Sequence, residues 1–282
     1  MFCTKDRAEA VTIAGELKAL NESRKDMTMQ GTEEAIRMIE TGGLKEDSVL
    51  VLYLPDCHES LAGIIAGRIR ERYHKPSFVL TRSEDGVKGS GRSIEAYHMY
   101  EKMSECKELY TKYGGHKLAA GVSMPEENVE LFRAYLNAHC GLTEEDFVEK
   151  IHIDVPMPMS YVTTAFVKQL SVLEPFGNGN SKPVFAQKNI SLISGRILGK
   201  NGNVGKYCAA DESGRRYDLM YFGDLERFHL FLQEHFGRTA LEKLYQGGRA
   251  EGIRIHVIYY PDINVYQGRE SLQMIMQDYS PA

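Results

Sequence analysis

Gly114-Gly115-His116-Lys117-Leu118-Ala119-Ala120-Gly121, preceded by Gly89-Ser90-Gly91-Arg92-Ser93, is the stretch on which the reading of this 282-residue chain turns. Two glycines ahead of a histidine let the main chain approach a ligand closely, because no Cβ stands in the way. Main-chain N–H groups beside an imidazole, with a Ser-x-Arg-Ser in the same region, suit a phosphate oxygen. Taken alone, Gly-Gly-His reads as a turn. Its weight comes from what surrounds it.

Upstream, Ser48 to Leu54 is a nearly all-apolar run, the mark of a buried strand, and Pro55-Asp56-Cys57-His58 is the turn after it. Leu61, Ile64, Ile65 and Ile69 share one face of a helix ending near Tyr73. Ser77 to Thr81 and Val87 to Ser90 predict two further strands. Ser93 is placed to cap a helix over Ile94 to Glu105. After the Gly-Gly-His turn, Ala119 to Met124 is extended, and Pro125 opens a helix through Leu131 and Leu136. At the N-terminus, Ala10, Ile13, Ala14, Leu17 and Leu20 predict a helix from Asp6 to about Ile39.

The pattern changes after Lys150. Helical periodicity persists only in Thr163 to Leu173, and short strand-like segments then alternate with turns at Gly177-Asn178-Gly179-Asn180, Lys200-Asn201-Gly202-Asn203 and Glu212-Ser213-Gly214. Arg254 to Tyr260 and Ser271 to Gln277 supply the last strands, a spacing that suits a small β-barrel. The expected organisation is a connecting helical segment over 1–45, an α/β domain over 46–148 and a mostly β barrel domain over 149–282.

Composition narrows the function classes. No apolar run approaches the roughly 18 residues that span a membrane, and Met1 to Asp6 carries no signal pattern, so a cytoplasmic location is the default expectation. The five cysteines are scattered without C-x-x-C spacing, which indicates neither a zinc site nor a disulfide framework. A net charge of −5 argues against nonspecific coating of nucleic acid, so any binding must come from a local patch. The segment from Arg68 to Arg92 offers one, with Arg70, Arg72, Lys75, Arg82 and Lys88 opposed only by Glu71, Glu84 and Asp85. Such a run is as often a solvated surface as a binding face.

With these residues in place, the chain resembles the C-terminal portion of the RecJ family, the single-stranded-DNA-specific exonucleases of the DHH phosphoesterase superfamily. His58 with Ala62 to Arg68, Lys88 to Ser93, and Gly114 to Gly121 resemble the α/β DHH-associated domain. Leu173-Glu174-Pro175-Phe176-Gly177-x-Gly179-Asn180 and Asn264-x-Tyr266-x-Gly268 resemble the family's oligonucleotide-binding (OB) barrel. The family's catalytic core is an N-terminal domain whose Asp-His-His motif and further aspartates hold manganese or magnesium. This sequence has no Asp-His-His, and Asp56-Cys57-His58 reads as a strand-to-helix turn. The resemblance therefore implies a portion without the catalytic domain, carrying no catalytic residue, metal ligand or cofactor of its own and inactive alone. Manganese or magnesium is expected in the missing domain.

By resemblance, His58, Ser90, Arg92, Ser93, Gly114, Gly115 and His116 are the candidates for phosphate or sugar contacts. The physics agrees: an N-terminal helix end favours anions, and arginine offers a planar donor fork. In the barrel, Arg196, Lys200, Lys206, Arg215 and Arg216 interleave with Tyr207, Tyr217 and Tyr221, so that bases can stack while cations follow the backbone. Arg196 and Lys206 are the barrel's named candidates. Half the tyrosines of a two-sided strand should face the core. The expected partners are single-stranded DNA, the N-terminal DHH domain and other repair proteins. The alternatives are a non-catalytic single-strand-binding or partner-docking module, or part of another DHH-family oligonucleotide phosphoesterase.

Overall fold

The computed structural model describes residues 3–177, 179–199, 201–246, 250 and 252–282, so Asn178 and Lys200 of the expected turns lie outside the described residues. The chain divides into two units, Met1–Lys150 and Ile151–Ala282.

The first unit begins with α1 (Arg7–Thr41), capped by Asp6, whose carboxylate accepts the Ala8 amide at 2.8 Å. Of α1, only Thr28, Ala35 and Ile39 are buried, while Val11, Leu17 and Leu20 stand in solvent. There follow β1 (Leu50–Tyr53), α2 (Glu59–Tyr73), β2 (Ser77–Ser83), β3 (Gly86–Arg92), α3 (Met99–Ser104), β4 (Lys112–His116), β5 (Ala119–Met124) and α4 (Val129–Ala138). The sheet order is β1-β2-β3-β5-β4, with β1 and β2 parallel and the other pairs antiparallel.

Two apolar layers cover this sheet, which explains the unbroken hydrophobic run at its start. Leu50, Leu52 and Val79 pack with Leu61, Ile65 and Ile69 of α2 and with Ala35 and Ile39 of α1. Val49, Val51, Phe78 and Leu80 face the opposite way, toward Met99, Met103, Phe132 and Leu136 of α3 and α4. Gly91 is obligatory here, since a Cβ would lie 2.6 Å from the Phe78 ring and 2.5 Å from the Met99 sulfur.

The structure departs from sequence expectation at three places in this unit. Residues 94–98 are not helical: Ile94 and Tyr97 both enter the core through a turn, and α3 starts only at Met99, capped by His98. Pro125 opens a 3₁₀ turn over Glu126–Asn128 before α4 begins. Gly114-Gly115 is not a turn. It lies within β4, and Lys117 and Leu118 make the reversal.

The second unit contains α5 (Thr164–Leu170), β6 (Phe185–Leu198), β7 (Val204–Ala210), β8 (Arg216–Tyr221), α6 (Leu225–Phe236), α7 (Arg238–Tyr245), β9 (Arg254–Tyr266) and β10 (Arg269–Pro281). The strands close into a barrel in the order β10-β8-β7-β6-β9, with β8 and β10 parallel. The hairpin joining β9 to β10 turns at Gln267 and Gly268, with φ of 50° and 77°. That pair of left-handed residues is what a tight hairpin requires, and it accounts for the glycine.

Helices α6 and α7 correct the expectation that helix beyond Lys150 is confined to Thr163–Leu173. Phe228 and Leu232, one turn apart on α6, are fully buried against the barrel core. Their spacing was a readable signal, masked by the turn-rich sequence on both sides.

An aromatic and aliphatic core fills the barrel, with Tyr207, Leu219, Ile255, Val257 and Tyr259 each almost wholly buried. Within the barrel, the phenols of Tyr207, Tyr217 and Tyr259 are satisfied, as burial demands. Tyr207 meets the Tyr245 hydroxyl at 2.8 Å, which His229 also reaches at 2.6 Å; Tyr259 donates to the Met157 carbonyl and Tyr217 to Asp211. Burial pushes the phenol of Tyr217 up to about 12, helped by its bond to the Asp211 carboxylate. Among the described residues no helix is long and apolar enough to cross a membrane.

One side chain ties α4 to the entry of β1. The Asn137 amide accepts the Val49 N–H at 3.0 Å and donates to the Val49 carbonyl at 2.9 Å. Asn137→Ala leaves both half-buried groups unpaired and is expected to cost about 1–3 kcal/mol. Chemical denaturation of the purified chain would show it as a lowered midpoint with unchanged slope.

Candidate nucleic-acid interface

Strand register builds the site. Reading across β3, β5 and β4, the rows are Lys88–Ser123–Lys112, Ser90–Gly121–Gly114 and Arg92–Ala119–His116. Residues two apart along a strand share a face, so one face of this half-sheet carries Lys88, Ser90, Arg92, Lys112 and His116 around a floor of glycine and alanine. Val87, Ala120, Val122 and Met124 take the other face, in the core. The α2 N-terminus flanks the polar face, and Glu59, Ser60, Lys88, Ser90, Lys112 and Gly114 help line a cavity of about 410 Å³.

The glycines of the floor divide into two kinds. At Gly115 a Cβ would collide with the Ala119 carbonyl and with Ala120, so this glycine is what lets β4 lie against β5. At Gly114 a Cβ would meet nothing within 4 Å, and at Gly121 it would touch only the Gly89 carbonyl at 3.9 Å. Packing does not call for these two. They keep the floor of the trough bare, which suits close approach of a ligand backbone.

Arg92 is half-buried and aimed. Its Nη1 donates to the Gly91 carbonyl at 2.8 Å, and its guanidinium crosses α2 at Gly63, where a Cβ would lie 2.8 Å from Nη2. Arg92 also lines a second cavity of about 710 Å³ together with Arg70, His74, Ser93 and Lys150. Lys88 is drawn to Glu59 at 3.2 Å, an exposed pair worth little in water. Lys112 has no ion-pair partner among the described residues.

His58 and His116 are both exposed and both fixed. His58 caps α2, its Nδ1 accepting the Ser60 N–H at 3.2 Å and lying 2.8 Å from the Ser60 hydroxyl. His116 Nδ1 accepts the Leu118 N–H at 3.3 Å. Ser93 stands apart from the other candidates. It is 6% exposed, its hydroxyl donates to the Tyr97 carbonyl at 2.7 Å and its N–H to the Leu118 carbonyl. With its proton committed, Ser93 ties β3 to the hairpin turn and does not cap a helix.

The sequence reading did not single out Ser60, Lys112 or Ser123. Nothing local marks them; only the β3–β5–β4 register brings them beside the Gly-Gly-His strand. Asp56-Cys57-His58 is a turn, as read: the Cys57 N–H donates to Leu54, and Thr81 donates to the Cys57 carbonyl. Among the described residues no three His, Cys, Asp or Glu side chains are placed to hold a metal ion.

On the barrel, Arg196 and Lys206 are cross-strand neighbours on β6 and β7, and Lys206 pairs with Asp218 on β8 at 2.8 Å. The interleaved tyrosines are the clear correction. Tyr207, Tyr217 and Tyr221 are 0%, 8% and 6% exposed, so all three point into the barrel and none is a stacking platform. The exposed aromatic beside this region is Phe222, at the end of β8 and 58% accessible.

Comparison with known proteins follows the same division. Residues 46–141 match the DHHA1 domain and residues 153–278 the RecJ OB domain. The chain is 31% identical to the single-stranded-DNA-specific exonuclease RecJ of Bacillus subtilis, over 99% of this chain and 33% of that protein. It is 28% identical to RecJ of Escherichia coli, over 97% of this chain and 46% of that protein. The chain thus spans about a third to a half of the length of these relatives. In fold it is similar to the crystal structure of Thermus thermophilus RecJ in complex with Mn²⁺, with a TM-score of 0.72 and 24% identity over 99% of this chain and 37% of that one.

The two glycines give a paired test. Gly114→Ala is expected to change stability by no more than about 0.5 kcal/mol, whereas Gly115→Ala should cost about 1–3 kcal/mol through overpacking. Thermal melts of the two variants beside the parent chain distinguish them.

Proposed function

We propose that this chain, which corresponds to the C-terminal part of RecJ with a DHHA1 domain followed by a RecJ OB domain, holds single-stranded DNA for 5′-to-3′ exonucleolytic hydrolysis. The observation that carries this reading is the trough on β3, β5 and β4, where cations and donors line a floor with no side chains at Gly114 and Gly121. Phosphate oxygens reach a bare floor of this kind, whereas a floor with side chains would hold them off. Arg92, held by Gly91 and by the gap at Gly63, supplies a fixed guanidinium fork; Ser90 lies in the next row on the same face, and Lys112 stands at the diagonally opposite corner of that face.

Arg196 and Lys206 give the barrel a cationic pair of its own for the strand. Their contribution is electrostatic and partly offset by Asp218, so it tracks the sugar–phosphate backbone without reading sequence. Phosphodiester hydrolysis in this family relies on metal-bound groups, which these residues do not provide. Their task in the reaction is to grip and align the strand. All five cysteines are unpaired, in keeping with a reducing cytoplasmic setting.

Fluorescence anisotropy with a 5′-phosphorylated oligonucleotide, single-stranded and duplex, at two salt concentrations tests this reading. The expected result is a salt-sensitive preference for the single strand, with no cleavage when manganese is added. Arg92→Gln should weaken binding about tenfold, the loss of one charge-assisted contact. Tyr221→Phe, which alters only the barrel interior, should leave affinity unchanged. Equal affinity for duplex, or an Arg92→Gln variant that binds like the parent, would sink it.

A further inference from the structure

The fold accounts for one residue of Asn264-x-Tyr266-x-Gly268. Gly268 answers to the left-handed turn between β9 and β10, but Asn264 and Tyr266 serve no packing: both are exposed, Tyr266 by 68%. Register puts Asp262 opposite Gln273, Asn264 opposite Ser271 and Tyr266 opposite Arg269. Residues two apart share a face of a strand. Val257 and Tyr259 of β9, with Met274 and Met276 of β10, take the other face and enter the core. Asn264, Tyr266, Arg269 and Ser271 therefore stand together on the outside of the hairpin.

The Tyr266 ring is open where those of the other strand tyrosines are taken. Tyr207, Tyr217, Tyr221 and Tyr259 point inward, and Tyr279 packs on Phe228 with ring centroids 4.6 Å apart. Tyr260 shares the outer face, but the Lys182 ammonium lies over its ring, 4.6 Å from the centroid. Phe222 is exposed yet lies past the last paired residue of β8. The Tyr266 hydroxyl takes the Gln267 amide at 3.5 Å, and its ring has no aromatic or cationic partner among the described residues. The hairpin is braced on its other face, where Lys168 of α5 holds Glu270 at 2.9 Å and Leu272 packs against the barrel core. A bare ring on a braced strand pair, with a guanidinium directly across from it, suits a flat ligand that carries negative charge.

We infer that Tyr266, with Arg269 opposite, is a stacking platform for an unpaired nucleobase, and that this hairpin supplies the preference for single strands. The inference rests on the strand-holding reading above and adds to it a second contact of different chemistry. Donors of the trough address phosphate oxygens, which single and double strands both carry. A ring face, by contrast, can be covered by a base that has left its own stack. Every base has a π-face, so such a platform tolerates any sequence. Arg269 takes the phosphate beside the stacked base, and the exposed Asn264 amide offers both a donor and an acceptor to the base edge. The one carboxylate on this face, Asp262, already receives the Gln273 amide at 3.4 Å.

Fluorescence anisotropy of the whole chain with three ligands tests the platform: the 5′-phosphorylated single strand, an abasic strand of equal length and charge, and the duplex. Tyr266→Ala should weaken binding of the single strand about tenfold, the loss of one stacked base. The same variant should bind the abasic strand and the duplex as the parent does. Tyr266→Phe, which keeps the ring, should recover most of the lost affinity, and melts of both variants confirm that they fold. Parent-like binding of the single strand by Tyr266→Ala, or an equal loss on all three ligands, would overturn the platform. If Tyr266→Ala binds like the parent while Arg92→Gln is weakened, the platform falls and the strand-holding reading stands. A parent chain that binds no single strand removes both.

Discussion

The trough depends on how closely β4 can lie against β5. Gly115 is the residue that permits it, since any side chain there would strike the Ala119 carbonyl. That contact sets the register, and the register places His116 opposite Ala119 and Gly114 opposite Gly121. Shifted by one residue, every side chain of β4 would exchange faces. Tyr113, which packs against the core cluster, would then turn outward, and Lys112 and His116 would turn in. Binding chemistry and core packing are thus specified by the same ladder.

The rest of the first unit holds that ladder rigid from behind. β1 and β2 are covered on both faces, so the central sheet cannot flex without opening one of two cores. Side chains that aim the functional groups are themselves fixed by main-chain bonds: Arg92 by Gly91, His58 by Ser60, His116 by Leu118. Preorganisation of this kind lowers the ordering cost of binding a flexible polymer. The barrel follows a different plan, in which Tyr207, Tyr217, Tyr221 and Tyr259 serve the interior and Arg196, Lys206 and Phe222 stand on its outer surface.

Much of this was legible in sequence. The apolar run at Ser48 to Leu54, the helix of Leu61 to Ile69 and the closing strands are strong periodic signals, and the motif matches carried the DHH-associated and OB assignments. The failures have specific physical causes. Gly-Gly-His read as a turn because glycine pairs usually are turns; only its pairing partner, Ala119 to Met124, makes it a strand. Ser93 read as a cap because serine before an apolar run usually caps, but Ile94 and Tyr97 gain more by entering the core than by continuing a helix. The barrel tyrosines could not be assigned to a face because alternation shows only that Tyr217, Leu219 and Tyr221 share one side of β8; which side is interior is set by the closure of the barrel. Lys112 and Ser60 were invisible because their role exists only once distant strands are brought together.

Gly63 carries a consequence of a different order. A methyl group there would press on the far end of Arg92, a flexible group that can swing aside, and on little else that resists, the next atom being the Ser90 Cβ at 3.4 Å. An alanine at 63 would therefore spare the fold and misdirect the guanidinium. In a drifting lineage the two sites would behave as a single heritable character, with glycine at 63 retained only as long as arginine at 92 has something to hold.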